Sequence, residues 1–223
     1  MFRMKLEQIK DKIPGSLFNI LSKEIKELRP AQEKAIENGL LDNKNLLICT
    51  PTASGKTLIA EIAAIKNILE GKGKAIYIVP LRALANEKFK EFKRKYSNIL
   101  KIALSIGNLD SADPYLLDYD LIICTSEKLD SLIRHHSPWI SLISTVIIDE
   151  IHILNDVSRG PTLEIIITLL RQLLKKMQLI ALSATIGNPE ELARWLGADL
   201  ILDDWRPVKL HKGIYLDGEV EFY

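Results

Sequence analysis

Cysteine is scarce in this chain. There are two, Cys49 and Cys124, and neither has a partner at metal-ligand spacing. That excludes a zinc-ribbon or disulfide-stapled scaffold and leaves two reduced core thiols of an intracellular protein. Long apolar runs are also missing. None reaches the ~18 residues a membrane helix needs, so no membrane association is expected. The opening stretch MFRMKLEQIKDKIP is charged and lacks the apolar core of a secretory signal. There is no excess charge of one sign: 30 basic against 29 acidic residues gives a net charge of +1. Global charge therefore neither favours nor excludes a nucleic-acid partner. Internal repeats and low-complexity segments are absent. A soluble, cytoplasmic protein is the expectation.

What is present is a large apolar fraction, 47% of 223 residues. This suffices for one substantial core, about one to one and a half ordinary domains. Short β-rich apolar runs alternate with longer helical patterns. NLLIC (45–49), KAIYIV (74–79), KIALS (101–105), DLIICT (120–125), TVIID (145–149) and LIALS (179–183) read as buried strands. Near-continuous apolar strands are what a parallel sheet covered on both faces requires. TLIAEIAAIKNILEG, LRALANEKFKEFKRKY and PTLEIIITLLRQLLKK carry apolar residues at three-to-four spacing and read as helices. The expected class is α/β, a mostly parallel sheet with helices on both faces. A short helical segment, SLFNILSKEIKEL and PAQEKAIENGLL, precedes it. Asp217-Gly218, between two alternating runs, predicts a C-terminal hairpin.

Chemistry first appears at TPTASGKT, Thr50 to Thr57. In the pattern G-x-x-x-x-G-K-[ST], backbone N–H groups and a helix N-terminus cradle phosphates. The Lys reaches the β and γ phosphates and the Ser/Thr hydroxyl ligates Mg²⁺. Gly55, Lys56 and Thr57 fill the last three positions, Thr50 replaces the first Gly, and Ala53 sits where some related loops have Gly. GKT can also occur in an ordinary strand-to-helix turn, but here a strand precedes it and a helix follows. STVIIDEIH supplies the carboxylates such a loop needs at a neighbouring strand end. Asp149 is assigned to Mg²⁺ and Glu150 to the attacking water. The bland alternative is an acidic pair that merely ends a strand in solvent. His152, three residues beyond Asp149, is placed for coupling near the γ-phosphate.

Asp149-Glu150-Ile151-His152, together with Ser183-Ala184-Thr185 after a later strand, resembles the first RecA-like domain of superfamily-two helicases. Within that group the stretches PTASGKTLIAE, TSEKLDSLIRH, DEIHIL, RGPTLE, LSATIGNPEELARWL and DWRPVKL are most like the archaeal Holliday-junction-migration (Hjm) repair helicases, which are similar to the helicase portion of polymerase theta. The resemblance implies that Arg29-Pro30-Ala31-Gln32 is a Q motif whose Gln reads adenine. It makes Thr50, Pro51, Thr52, Ala53, Ser54, Gly55, Lys56 and Thr57 the nucleotide loop, in which a replaced first Gly is tolerated. It implies coupling roles for Ser183, Ala184 and Thr185. Pro80 and Arg82, Gly107 and Asn108, and Thr125 and Glu127 become nucleic-acid contacts, held in that family on a sheet face opposite the helix-covered core. Capping of a helix is the plainer role for Thr125 and Ser126.

The implied activity is Mg²⁺-dependent ATP hydrolysis driving 3′-to-5′ movement on single-stranded or branched DNA by a monomer. In that family a second RecA-like domain completes the ATP site, followed by winged-helix and ratchet domains, but only about forty residues follow Thr185 here. The expected layout is therefore a RecA-like unit over 1–203, including the helical segment 1–42, and a connector over 204–223 leading to an absent domain. The same motor acting on RNA, and an ATP-gated module with no motor, remain open. The cluster Lys88, Lys90, Lys93, Arg94 and Lys95, interleaved with Glu87 and Glu91, reads as a solvated helix face. His135-His136 reads as surface, and Trp139, Trp195 and Trp205 as packing. Arg159-Gly160 lies near the Asp-Glu box in either a packing or a strand-path role.

Overall fold

The computed structural model describes residues 4–107, 112–208, 211 and 213–222. Seven strands form one sheet: β1 (Leu46–Cys49), β2 (Lys74–Val79), β3 (Ile102–Ser105), β4 (Leu121–Thr125), β5 (Ile143–Ile148), β6 (Gln178–Ser183) and β7 (Asp199–Leu202). Their spatial order is β3-β4-β2-β5-β6-β1-β7, and every neighbouring pair runs parallel. All seven strands therefore end on the same edge.

Alternation sorts each apolar strand between two cores. Leu46, Ile48, Tyr77, Val79, Leu121, Ile123, Ile180 and Leu182 face one side. There they meet α1 (Gly15–Leu21), α2 (Pro30–Glu37), α3 (Lys56–Leu69) and α4 (Arg82–Tyr96). Leu47, Ile76, Ile78, Ile122, Val146, Ile148 and Leu179 face the other side. There they meet α5 (Ser126–Arg134), α6 (Gly160–Leu173) and α7 (Pro189–Leu196). Each fully buried Leu or Ile contributes roughly 1.5–3 kcal/mol, which is why both faces are closed.

All six expected strands form, with small shifts at their ends. The edge strand β7 was not legible: it has one buried residue, Ile201, between exposed or half-exposed neighbours. It is fixed by pairing with β1, not by its own pattern. The expected helix over SLFNILSKEIKEL stops at Leu21. Beyond it the backbone turns to pair with the chain start, Leu6 N–H bonding Lys26 O and Leu28 N–H bonding Met4 O. The hairpin forms as β8 (Gly213–Leu216) and β9 (Glu219–Phe222), with Asp217 and Gly218 at φ 50° and 92°. Two successive positive φ values are what the twist of a two-residue hairpin loop demands.

At the opposite end of the sheet a buried polar group fixes helix to strands. Asn67 of α3 donates to Thr145 Oγ1 (2.9 Å) and Gln178 Oε1 (2.8 Å), and Gln178 donates on to Leu40 O (2.8 Å). Among the described residues no helix is long and apolar enough to cross a membrane. Asn67→Leu leaves Gln178 Oε1 and Thr145 short of a donor. Urea unfolding is expected to show a loss of about 2–4 kcal/mol.

Candidate functional site

The loop after β1 departs from helical or extended backbone at two points, Ala53 (φ 65°) and Gly55 (φ 93°). Gly55 is required for a second reason. A Cβ there would lie 2.5 Å from Gln32 Nε2, whose hydrogen bond to Gly55 O (3.0 Å) joins α2 to the loop. Thr50, the residue in place of the first glycine, is fully buried, and its hydroxyl pairs with Ser54 Oγ at 2.7 Å. The substitution thus closes the loop on itself with a buried hydrogen bond. Pro51 is buried, while Thr52 and Ala53 face solvent.

Lys56, the first residue of α3, is 8% exposed. Its ammonium donates to Thr50 O (3.1 Å), just past β1, and to Ser183 O (2.9 Å), the last residue of β6. Burial lowers its pKa, with Glu150 and Asp149 opposing. The Ser183 hydroxyl is buried without a hydrogen-bond partner. The Cys49 thiol lies beside it. Burial pushes that thiol up to about 11, Ser183 and then Lys56 pulling it the other way. Ala184 is half-buried and Thr185 exposed at the same edge.

Asp149 directly follows β5 and extends its ladder through Asp149 N–H to Ile78 O (2.8 Å). Tyr77 OH donates to Asp149 Oδ2 (2.8 Å), and Glu150 N–H to Asp149 Oδ1 (3.0 Å). The carboxylate is therefore fixed from two directions. Burial first, then the charge of Asp149, holds the Tyr77 phenol well above its usual range, so it remains a donor. Glu150 sits in the left-handed region (φ 52°, ψ 47°), a conformation glutamate rarely adopts and one that concentrates at functional sites. His152 Nδ1 lies 3.3 Å from Glu150 Oε2. Gly160 allows α6 to approach the 3₁₀ turn Ile151–Asn155: a Cβ there would meet Leu154 O at 2.2 Å. That supports the packing role for Arg159-Gly160.

Lys56, Asp149 and Glu150 share one cleft of 630 Å³, bounded also by Arg29, Thr57 and Lys88. A larger cavity, 850 Å³, opens at the start of β2 and β5 beside Lys74 and Ile143, and holds none of the expected site residues. Arg29 donates to Ala53 O (2.6 Å) and stacks on Trp205, so Trp205 belongs to the rim of this cleft as well as to packing. Gln32 is 4% exposed, with its oxygen accepting from Arg29 N–H and its nitrogen donating to Gly55 O. Trp139 is fully buried.

The expected strand contacts fall beside the cleft. Pro80 and Arg82 follow β2, Gly107 lies two residues past β3, and Thr125 ends β4. Asn108 lies outside the described residues. Among the described residues helices cover both faces of the sheet, so these positions lie not on an open face but along the C-terminal edge. Thr125 is buried and caps α5 through Lys128 N–H (3.4 Å), the plainer of its two roles. Arg82 is exposed in the first turn of α4, and Glu127 is half-buried. The basic cluster divides. Lys90, Lys93 and Arg94 are exposed, whereas Lys88 reaches Thr57 and Lys95 reaches Glu61.

Sequence reasoning missed Tyr77 and Lys88. Tyr77 had a signal, a polar tip inside a fully buried strand that must find a partner. Lys88 had none, being one lysine in a run of alternating charge.

A family model described as DEAD/DEAH box helicase matches residues 29–192. The ATP-dependent DNA helicase Hel308 of Methanocaldococcus jannaschii is 58% identical over 205 residues, covering 89% of this chain and 17% of its own length. The Hel308 of Pyrococcus horikoshii is 52% identical over 218 residues, covering 97% of this chain and 30% of its own. The chain thus spans less than a third of these relatives. The crystal structure of the DUF1998 helicase MrfA bound to DNA superposes with a TM-score of 0.74 at 26% identity, covering 87% of this chain and 30% of that one.

The backbone makes a specific demand on the loop. Ala53→Gly relieves a left-handed alanine and is expected to raise stability by about 0.5–1 kcal/mol, or at least not lower it. Gly55→Ala, with its clash on Gln32, should lower stability by about 1–3 kcal/mol in the same urea titration.

Proposed function

The chain belongs to the DEAD/DEAH box helicase family, and from that premise we propose that it is the first ATP-binding domain of an ATP-dependent DNA helicase. Its work is repair and recombination, on stalled forks or Holliday junctions. The observation that carries this reading is the division of one sheet edge. Lys56, Thr57, Asp149 and Glu150 gather at the ends of β1 and β5, while Arg82, Gly107 and Thr125 follow the adjoining strands β2, β3 and β4. A nucleotide and a strand would be held side by side by the same rigid element. The names of the relatives, DNA helicases, favour DNA over RNA.

A magnesium ion fits the residues present. The Thr57 hydroxyl and the Asp149 carboxylate border one cleft, and a cation, the Lys88 ammonium, already rests on the Thr57 hydroxyl at 3.2 Å. Among the described residues no cluster of three His, Cys, Asp or Glu could hold a metal alone. That suits an ion which keeps waters and phosphate oxygens among its ligands. Thr57 and Asp149 would hold it, and its charge would stabilise the phosphate oxygens.

The protein groups act around that site. Lys56 leaves the Thr50 and Ser183 carbonyls to meet the β and γ phosphates. Glu150 orients the water, with His152 steadying its carboxylate. Gln32 and Arg29 place the adenine side of the loop. Ser183 and Thr185 pass the change to the rest of the motor. The unit 1–203 is the ATPase domain, and 204–223 leads towards a second RecA-like domain with winged-helix and ratchet domains in a longer monomeric protein. ATP must bridge two domains to close them, so the 223-residue chain binds nucleotide but turns over slowly.

Lys56→Ala is expected to weaken binding of a fluorescent ADP by at least about tenfold. In the longer protein, single-stranded DNA should stimulate hydrolysis, moving 3′ to 5′, and Glu150→Gln should cut the stimulated rate about 10²-fold or more. Stimulation by RNA alone would assign an RNA motor, and stimulation by neither would leave a nucleotide-gated module.

A further inference from the structure

Lys88 has no role in the nucleotide loop as read above, yet its ammonium lies in that cleft. Its side chain is 16% exposed. The Nζ donates to Thr57 Oγ1 (3.2 Å) and to Glu91 Oε2 (3.2 Å). The loop's own lysine, Lys56, is turned away onto Thr50 and Ser183. The cation beside the Thr57 hydroxyl is therefore supplied by α4, a helix whose first turn carries Arg82.

A hydroxyl oxygen that accepts from an ammonium presents to it the electron pair a divalent cation would take. Two cations cannot share that position, because a divalent ion and an ammonium at contact distance repel strongly. We infer that Lys88 is a positioning residue that holds the place of the metal at Thr57 in the nucleotide-free protein, and that it is displaced onto Glu91 when a magnesium–nucleotide enters. This rests on the nucleotide reading above. Glu91 already contacts the ammonium, so displacement leaves no bare buried charge.

The exchange reaches beyond the metal. Farther along α4, Tyr96 OH donates to Glu61 of α3, Lys95 donates to Glu61 (2.8 Å), and Phe92 packs edge-on against Tyr77, which holds Asp149. Those contacts do not involve the Thr57 hydroxyl. Lys88 is the tether that does, and it lies between them and Arg82.

The test is binding of a fluorescent ADP by the full 223-residue chain, in EDTA and across a Mg²⁺ titration, for wild type, Lys88→Met, Lys88→Gln and Lys88→Arg. Circular dichroism melts confirm that each variant is folded. The neutral variants should lower the Mg²⁺ needed for half-saturation by about three- to tenfold, so that the ratio of affinity with Mg²⁺ to affinity in EDTA rises. The Arg variant should stay near wild type. Equal weakening with and without Mg²⁺ would make Lys88 a phosphate ligand and overturn the inference, as would an unchanged Mg²⁺ dependence. A wild-type chain that binds no nucleotide in either condition would instead remove the nucleotide reading itself.

Discussion

One ammonium group ties together the C-terminal edge of this sheet. Lys56 is nearly enclosed, and a buried cation must find acceptors or lose its charge. It finds them in carbonyls at the ends of two neighbouring strands, Thr50 just past β1 and Ser183 closing β6. The consequence is mechanical. Whatever draws Lys56 outward must strip a donor from Ser183 O, in a residue whose hydroxyl is already unsatisfied. Lys56 and Ser183 are thus joined directly, by the one hydrogen bond from the ammonium to Ser183 O.

The opposite half of the edge is joined to the nucleotide half through α4 and Tyr77. Asp149 is held by a phenol from β2, and β2 leads straight into Pro80 and Arg82. The strand that positions a carboxylate of the cleft is therefore the one that launches the helix beside it. Helices on both faces keep this arrangement stiff, so a shift of either end is transmitted instead of being absorbed locally.

How far all this could be read from residues alone differs by element. The central strands declared themselves because burial on both faces leaves an unbroken apolar run. β7 did not, because an edge strand takes its conformation from its neighbour and leaves only Ile201 as a mark. The helix expected over residues 16–28 was cut short by pairing with residues near the chain start, a long-range contact that no local periodicity carries. The gathering of Lys56, Thr57, Asp149 and Glu150 at one cleft was legible because a phosphate-loop pattern restricts residue type and spacing together. The burial of Gln32 against Gly55 was not, since it depends on how closely α2 approaches the loop. Nor could a sequence separate Lys88 from Lys90: two positions apart on a helix they point in different directions, one inward and one to solvent.

The ribbon formed by β8 and β9 has a different standing from the rest. Tyr215, Val220 and Phe222 share one of its faces and remain exposed, and both strand edges are unpaired with the main sheet. Two strands bury too little to hold each other in water. Protection of amide hydrogens should therefore be uneven along the chain. The ribbon amides exchange through local opening, within seconds to minutes, while those of β2 and β5 exchange only when the whole sheet opens. A single melting temperature then reports the seven-stranded sheet and not the ribbon.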